Sequence, residues 1–380
     1  MKSLYGILSL SILIFFFSGC KKGTDNGTAD SQTQKLISGD FYFNEGKNTL
    51  CQTSDNGFAL AALIGKFSIY IARTNSTFNV LWDKTYGSCI NDVGGIVESS
   101  DKGFVIVSNN YDTTSYPYKL YVDLIKLNSS GDLLWEKKYR FRYMYERGFA
   151  LRETPDKGFI IATVHDKLDN QGFNFIELFK INSAGDSLWS RDYSDHYSTT
   201  GHDIQITSDQ GFIAVGDMII LKTDSLGNKQ WDKELTSTRL TNVRVLPDGS
   251  FVAVGNKSVH NDTTGNSLDY VLMKFDASGN QLWEKLYDVD NNEWACNLCL
   301  TPEGGFIFTG KTEIHPGNIT ETVIIKTDEN GNKLAMKIVK LGNMAEPRGL
   351  IWQNGSYVYY GGTSLSTGTA YYLMFLKFNL

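Results

Sequence analysis

Side chains suited to the recognition of sugars or peptides fall in the irregular connections of this sequence. Aromatic rings, guanidinium groups and carboxylates are concentrated there, and such groups stack on polar ligands or hydrogen-bond to them. Connections that a rigid framework holds in place commonly carry binding residues. The alternative is that these rings fold back onto the framework and that the charges are only solvated. We predict a ligand-binding set of Arg142, Tyr143, Tyr145, Arg147, His196, Tyr197, Asp290, Glu293, Trp294 and Arg348.

Known catalytic motifs are absent from the sequence. It contains no HExxH, P-loop, GxSxG or calcium-loop pattern. Acidic pairs such as Asp288 and Asp290 could meet a further carboxylate in space, as glycoside hydrolysis requires. A glycoside hydrolase or lyase is therefore the alternative to a binding protein. We favour a protein that is not an enzyme, and we expect no catalytic residue, no metal and no cofactor.

The cysteines permit several arrangements. Cys296 and Cys299 have the spacing of a redox or zinc pair. They lie in a predicted strand, where residues three apart point to opposite faces, and no second ligand pair follows. We therefore predict buried thiols. A disulfide stays open as an alternative, with three possible pairings among Cys51, Cys89, Cys296 and Cys299.

A sequence repeat forms the framework that must position these groups. A glycine and an aromatic residue open an apolar stretch every ~50 residues, which is the length of a propeller blade. A turn-forming residue precedes each aromatic by three positions, and this pattern is typical of a hairpin turn. The seven aromatic residues are Phe58, Phe104, Phe159, Phe212, Phe251, Phe306 and Tyr357.

A second motif follows in each repeat and predicts a turn before the outermost strand. It reads Lys-x-Asn/Asp-x-x-Gly, with glycine at 131, 185, 227, 279 and 331, whereas the first repeat has Phe78 in the glycine place. Four residues after this place stands a tryptophan, replaced by Ala335 in the sixth repeat. A tyrosine commonly follows four residues later and shares the tryptophan face of its strand. These residues are Trp82, Trp135, Trp189, Trp231 and Trp283, and Tyr86, Tyr139, Tyr193 and Tyr287.

Four short strands in each repeat, without any helical periodicity, predict an all-β fold. We predict a single seven-bladed β-propeller over residues 35–380. The seventh repeat ends before its fourth strand, and Leu36–Phe43 is a spare apolar segment ahead of the first repeat. We expect this segment to join the last blade and close the ring, because an open array would leave bare strand edges.

The first 34 residues have the features of an export signal and a tether. Residues 1–19 carry Lys2 and then an apolar run too short to span a bilayer, which predicts a signal peptide. Phe17-Ser18-Gly19-Cys20 resembles the lipobox of bacterial lipoproteins, which implies lipidation of Cys20. The alternative is an ordinary signal peptide with an incidental cysteine. Under the lipoprotein interpretation, residues 20–34 are the lipidated cysteine and a flexible tether.

The charge distribution argues against nucleic acid as a partner. The net charge is −6, and the 36 basic and 42 acidic side chains are mixed along the chain. Binding to a phosphate backbone needs a stripe of lysine and arginine, and none is present. The expected partners are the membrane, through the N-terminal lipid, and a glycan or protein ligand.

The repeat resembles those of propeller lipoproteins and secreted proteins of the Bacteroidota. The resemblance covers residues 48–380 and rests on segments such as Thr301-Pro-Glu-Gly-Gly-Phe306 and Leu272-Met-Lys274. It implies a propeller anchored at the outer membrane or cell surface, with a periplasm-facing orientation as the alternative. Such repeats are sometimes matched to bulb-type lectin patterns, which implies sugar binding.

Overall fold

The computed structural model of the chain is all-β, as the sequence predicts. It describes residues 12–13, 33–38, 41–42, 49–65, 68–87, 92–112, 119–140, 146–166, 174–193, 201–261, 265–290, 292–314, 319–339, 344–364 and 371–380. Within these ranges no helix has the length and apolar character needed to cross a bilayer. The strands are β1 (Ile12–Leu13), β2 (Thr33–Ser38), β3 (Phe41–Tyr42), β4 (Leu50–Gln52), β5 (Phe58–Ile64), β6 (Ser68–Thr74), β7 (Val80–Tyr86), β8 (Asp92–Glu98), β9 (Phe104–Asp112), β10 (Lys119–Leu127), β11 (Leu133–Tyr139), β12 (Glu146–Glu153), β13 (Phe159–Asp166), β14 (Asn174–Ile181), β15 (Ser187–Asp192), β16 (Gly201–Ile206), β17 (Phe212–Thr223), β18 (Lys229–Val245), β19 (Phe251–Asn261), β20 (Gly265–Phe275), β21 (Gln281–Tyr287), β22 (Glu293–Leu300), β23 (Phe306–Ile314), β24 (Ile319–Thr327), β25 (Lys333–Val339), β26 (Met344–Gln353), β27 (Ser356–Ser364) and β28 (Tyr371–Phe378).

In the described ranges the strands form six antiparallel sheets, so the predicted count of seven separate blades is wrong. The sheet orders are β1-β2-β28-β27-β26, β11-β10-β9-β8, β12-β13-β14-β15, β16-β17-β18-β19-β20-β21, β22-β23-β24-β25 and β3-β5-β6-β7, with β4 also paired to β5. Five sheets contain one sequence repeat each. The fourth and fifth repeats share the six-stranded sheet.

Short connections explain why the fourth and fifth repeats share a sheet. The second and third strands of repeat four both lie within β17, which bends at Met218, where φ is 56°. The outer strand of repeat four then continues as β18 into the inner strand of repeat five and bends at Ser237, where φ is 53°. Asp217 pairs with Arg239, so hydrogen bonds link the two repeats directly.

Apolar clusters fill the space between neighbouring repeats. One cluster, for example, contains Ile160 and Leu178 of repeat three and Phe212 and Leu221 of repeat four. The inner strands contact one another in the order β4, β8, β12, β16, β18, β22 and β26, and β26 contacts β4. Successive sheets therefore pack face to face, which is the packing of a β-propeller.

A side-chain clasp joins one repeat to the next at the turn between the third and fourth strands. The Tyr139 hydroxyl donates a hydrogen bond to the Gly185 carbonyl at 2.5 Å, and Lys137 Nζ lies 2.7 Å from Asp186 Oδ1. The Trp135 ring packs on the same glycine. The tryptophan and tyrosine thus share one face, which confirms the prediction. Other tryptophan–glycine contacts of this kind are Trp82–Gly131, Trp189–Gly227, Trp231–Gly279 and Trp283–Gly331.

The first repeat replaces the turn glycine by Phe78, and the structure explains this departure. Phe78 is 1% exposed and stacks on Phe375 of β28, with ring centroids 4.8 Å apart. In place of a tryptophan-bearing outer strand, the last sheet has β2, which pairs with β28 so that Leu36 lies opposite Met374. The Phe78 ring therefore fills the space that a tryptophan occupies between other repeats.

An ion pair holds the turn between the first and second strands. Lys126 Nζ lies 2.7 Å from Asp101 Oδ1, and the Ser99 hydroxyl donates to the same oxygen at 2.6 Å. Although burial alone would raise the pKa of Asp101, the hydrogen bonds from Lys126, Ser99 and the Gly103 amide lower it to about 2. Lys180 and Asp156, Lys222 and Asp209, and Arg73 and Asp55 form the same pair in other repeats.

We expect Lys126→Met to destabilise the protein at pH 6 but hardly at pH 2. The lowered pKa of Asp101 stabilises the fold above about pH 4, and this contribution disappears as the pH falls towards 2. Because Asp101 is 58% exposed, we expect a loss of only about 1 kcal/mol at pH 6. Urea unfolding of both proteins at the two pH values measures the difference. A difference that is the same at pH 2 as at pH 6 would contradict this explanation.

The described cysteines are free thiols. Cys51, Cys296 and Cys299 form no disulfide with one another, which agrees with the predicted thiols. Burial raises the pKa of Cys51 to about 12. Cys20 and Cys89 lie outside the described residues.

Candidate functional site

The two ends of the sheets differ in the segments that lie there. The turns between first and second strands and between third and fourth strands lie at one end, which we call the turn end. We call the opposite end of the strands the loop end. A bulge interrupts pairing near the loop end of inner strands β8, β12, β16, β18, β22 and β26. A bulge changes the direction in which nearby side chains point, and here the bulges occur where the sequence predicts ligand binding.

Half of the predicted ligand-binding residues belong to the described structure. Arg147, Asp290, Glu293, Trp294 and Arg348 are described, and all lie at the loop end on or beside inner strands. The remaining predicted residues lie outside the described ranges; they are Arg142, Tyr143, Tyr145, His196 and Tyr197.

Two of the predicted residues meet in a group that we call the Trp294 cluster: Trp294, Lys311, Glu346 and Arg348. Lys311 Nζ lies 5.7 Å from the centroid of the Trp294 ring and 2.9 Å from Glu346 Oε1. Arg348 Nη2 lies 3.6 Å from Glu346 Oε2. Trp294, Lys311 and Glu346 are partly exposed, whereas Arg348 is buried. The cluster joins an aromatic face to fixed charges of both signs.

Lys311 was not predicted from the sequence, although its position carries a signal. It stands five residues after Phe306, where repeats two and five have Asn109 and Asn256. Each of these asparagines accepts a backbone N–H of the next inner strand, Asn109 from Gly148 at 2.7 Å and Asn256 from Ala295 at 3.1 Å. Lys311 instead crosses to Glu346 on the next inner strand. A lysine in place of a structural asparagine is therefore the feature that marks this cluster.

Glu293 lies beside Trp294 but has a different role. Its side chain is fully buried, and its Oε1 accepts the backbone N–H groups of Asp290 at 2.7 Å and Val289 at 3.2 Å. Burial, together with the charges of Asp269 and Asp288, raises the pKa of Glu293 to about 7. Because it has no solvent exposure, this carboxylate does not contact a sugar bound at the surface. Glu293 instead holds the connection between repeats five and six in place.

A second charged group lies on three successive inner strands. Asp203 is fully buried and lies 2.7 Å from Arg152 Nη2 and 3.3 Å from Arg244 Nη1. Both arginines stand seven residues before the aromatic residue of their repeat, Phe159 and Phe251. Neither repeat motif includes these three positions, so the sequence did not predict this group. Two guanidinium groups thus share one buried carboxylate.

His202 is a buried residue of β16. Its Nε2 lies 2.9 Å from Asp217 Oδ1 and 3.1 Å from Arg239 Nε. Nε2 cannot donate to Asp217 and accept from Arg239 at once, and Arg239 Nε also lies 3.1 Å from Asp217 Oδ1. We therefore assign the proton to Nε2, with both residues donating to Asp217. The His202 ring packs edge-on against Phe149, so the group holds the start of the inner strand.

The comparisons with known proteins show the fold. No protein-family model matches the chain, and no curated protein sequence matches it. The solved RRP9 WD40 repeats have a TM-score of 0.56 at 10% identity, over 91% of this chain and 97% of that chain. The polysaccharide lyase Uly1 has a TM-score of 0.55 at 9% identity, over 88% and 91%. The Dos1 propeller has a TM-score of 0.53 at 10% identity, over 92% and 87%. At these identities the similarity establishes a propeller and nothing about ligands.

Proposed function

We propose that this chain is a binding module of the bacterial cell envelope that recognises a glycan through its loop end. The Trp294 cluster carries the proposal. A partly exposed indole offers apolar surface to a sugar ring, and Lys311, whose Nζ lies over the indole ring, and its partner Glu346 offer a hydrogen-bond donor and acceptor beside it. The Lys311–Glu346 pair and the inner strands hold these groups in place, so little conformational entropy is lost on binding.

A binding role fits the carboxylates of the loop end better than glycan hydrolysis does. Asp269, Asp288 and Glu293 bring carboxylate oxygens within 4.8 Å of one another, a closeness that hydrolysis by two carboxylates could use. A general acid must reach the glycosidic oxygen, however, and Glu293 is fully buried. The polysaccharide lyase among the similar structures keeps a glycan-active enzyme as the alternative. Release of unsaturated or reducing sugar ends by the purified chain would favour that alternative.

The envelope location belongs to the same proposal. The lipobox-like segment that ends at Cys20 would supply a lipid anchor, and the tether would end near Thr33, where β2 begins. The signal-peptide and lipobox-like pattern of residues 1–20 supports this location. Mass spectrometry of the N-terminal peptide, as purified from bacterial membranes, tests for acyl chains on Cys20. An unmodified Cys20 would restrict the proposal to a soluble exported binder.

We also propose that β2 completes the last sheet and so closes the ring. The pairing of β2 with β28 supports this, as does the apolar cluster in which Ile37 packs with Phe375 and Phe58. A closed ring joins the first sheet to the last, so it would hold the loop end as one rigid surface.

We expect Trp294→Ala to weaken glycan binding about tenfold or more, because the ring supplies most of the apolar contact. A glycan array with the purified chain identifies the ligand, and titration calorimetry then compares the two proteins. Leu334→Ala is the matched control, since Leu334 is 62% exposed on the outer strand at the turn end. Equal affinity of Trp294→Ala and the unmodified chain would refute this site. A chain that binds no glycan but captures one membrane protein specifically would move the proposal to a protein ligand.

A further inference from the structure

Three carboxylates converge where repeat five passes into repeat six, beside the Trp294 cluster. Asp269 lies near the start of β20, Asp288 directly follows β21, and Glu293 is the first residue of β22. A parallel bridge between Leu268 and Asn292 brings the two segments together. One carboxylate oxygen from each of the three residues lies within 4.8 Å of the other two.

Two of these carboxylates are buried without a basic partner. Glu293 is 0% exposed and Asp269 is 7% exposed. Glu293 Oε2 has no hydrogen-bond donor among the described residues, whereas Asp269 Oδ1 accepts the Ser267 hydroxyl at 3.0 Å. No lysine, arginine or histidine of the described ranges forms an ion pair with any of the three. Buried like charges at this separation repel strongly unless one of the groups is protonated or a cation lies between them.

In a second group of possible metal ligands, the buried glutamate has no unpartnered oxygen. His165, Glu177 and Asp192 also bring ligand atoms within 4.8 Å of one another. Both oxygens of Glu177 already accept hydrogen bonds, however, from Ser190 and from Thr163 at 2.8 Å. The Glu177 carboxylate therefore has no unpartnered oxygen, and the unpartnered Glu293 Oε2 distinguishes the Asp269 group.

We propose that Asp269, Asp288 and Glu293 bind one calcium ion. Calcium takes oxygen ligands at 2.3–2.6 Å, so two ligands of one ion lie at most about 5 Å apart, and the spacing of these oxygens fits that limit. Zinc is disfavoured because the group contains neither nitrogen nor sulfur. Asp288 is exposed, which leaves room for the water molecules that complete a calcium shell. Magnesium demands a tighter octahedron than three side chains from separate segments provide.

The ion would tie the connection between Asp288 and Glu293 to strand β20. Without it, the connection is held by backbone hydrogen bonds to Glu293 Oε1, by the bridge at Asn292 and by a hydrogen bond from the Glu313 N–H to the Asn292 carbonyl at 3.1 Å. Calcium would therefore fix the residue that precedes Trp294. This consequence goes beyond the proposed glycan binding and does not depend on it.

Calcium titration of the full chain after treatment with EDTA tests the site. We expect one calcium ion per chain with a dissociation constant at or below about 1 mM, and a rise in melting temperature of about 2–3 °C at 5 mM calcium. Magnesium at the same concentration should produce less than half of that rise. Absence of both a saturable heat and a melting shift would overturn the proposal.

Substitutions of the proposed ligands test where the calcium ion binds. Asp288→Asn and Asp269→Asn should each remove the calcium-induced shift, and the exposed position of Asp288 makes its variant safe for folding. Glu321→Gln is the matched control, because buried Glu321 stands five residues before Lys326 as Asp269 stands five before Lys274. It should keep the full shift. A shift retained in Asp288→Asn and Asp269→Asn would overturn the assignment, whatever the outcome of the glycan experiments.

Discussion

Replacing Phe78 by glycine is expected to lower the free energy of unfolding by about 2–4 kcal/mol, although glycine is the repeat consensus at this place. Phe78 is 1% exposed and contacts Phe375 and Phe58, with ring centroids 4.8 and 5.5 Å away. Removing the ring leaves a cavity between the first and last sheets. Phe78 has a φ of 63°, so glycine relieves about 1 kcal/mol of backbone strain, which is too little to offset the lost packing.

Urea denaturation of Phe78→Gly and Phe78→Leu separates packing from backbone strain. The leucine variant keeps the strain and most of the apolar volume, so we expect it to lose only about 1–2 kcal/mol. If the ring is closed as proposed, the glycine variant should also expose the contact between the first and last sheets to proteolysis. A glycine variant as stable as the unmodified chain would mean that this contact contributes little to folding.

Much of the fold could be predicted because each repeat carries its own turn chemistry. The pairing of Asp101 with Lys126 and the contact of Trp135 with Gly185 follow from residue types that recur at fixed spacing. The merging of repeats four and five could not be predicted in the same way. It depends on hydrogen bonds between Asp217 and Arg239, which lie in different repeats and belong to neither motif.

The sequence predicted where in the fold the candidate site lies, but it did not predict which residues contact one another there. Trp294 and Arg348 were found because aromatic and basic residues stand out in connections, and the structure brings both to Glu346 and Lys311. Composition does not reveal burial, however, and Glu293 turned out to be covered completely. Whether a carboxylate faces solvent depends on the course of the neighbouring chain, which no local pattern encodes.

The second large loss of stability is expected from changes in the clasp between repeats five and six, where Trp283 contacts the Gly331 turn. We expect Trp283→Ala to lose about 2–4 kcal/mol, because the half-buried ring packs on Phe306 and on the Gly331 turn. We expect Gly331→Ala to lose about 2–3 kcal/mol. Its φ is 75°, and an added Cβ would lie 2.9 Å from Trp283 Cζ3 and 2.8 Å from Lys285 Cγ.

The stability losses of Trp283→Ala and Gly331→Ala should not be additive, and the stability of the double variant tests this. Without the Trp283 ring the Cβ of Gly331→Ala loses its closest aromatic neighbour, so the double variant should be about 1–2 kcal/mol more stable than the sum predicts. Gly304→Ala is the matched control, since Gly304 has a φ of 88° and nothing within 4 Å of an added Cβ. It should lose only about 1 kcal/mol, and additively with Trp283→Ala. Additive losses for Trp283 and Gly331 would mean that the glycine is required for its backbone conformation alone, and that the tryptophan motif does not select it.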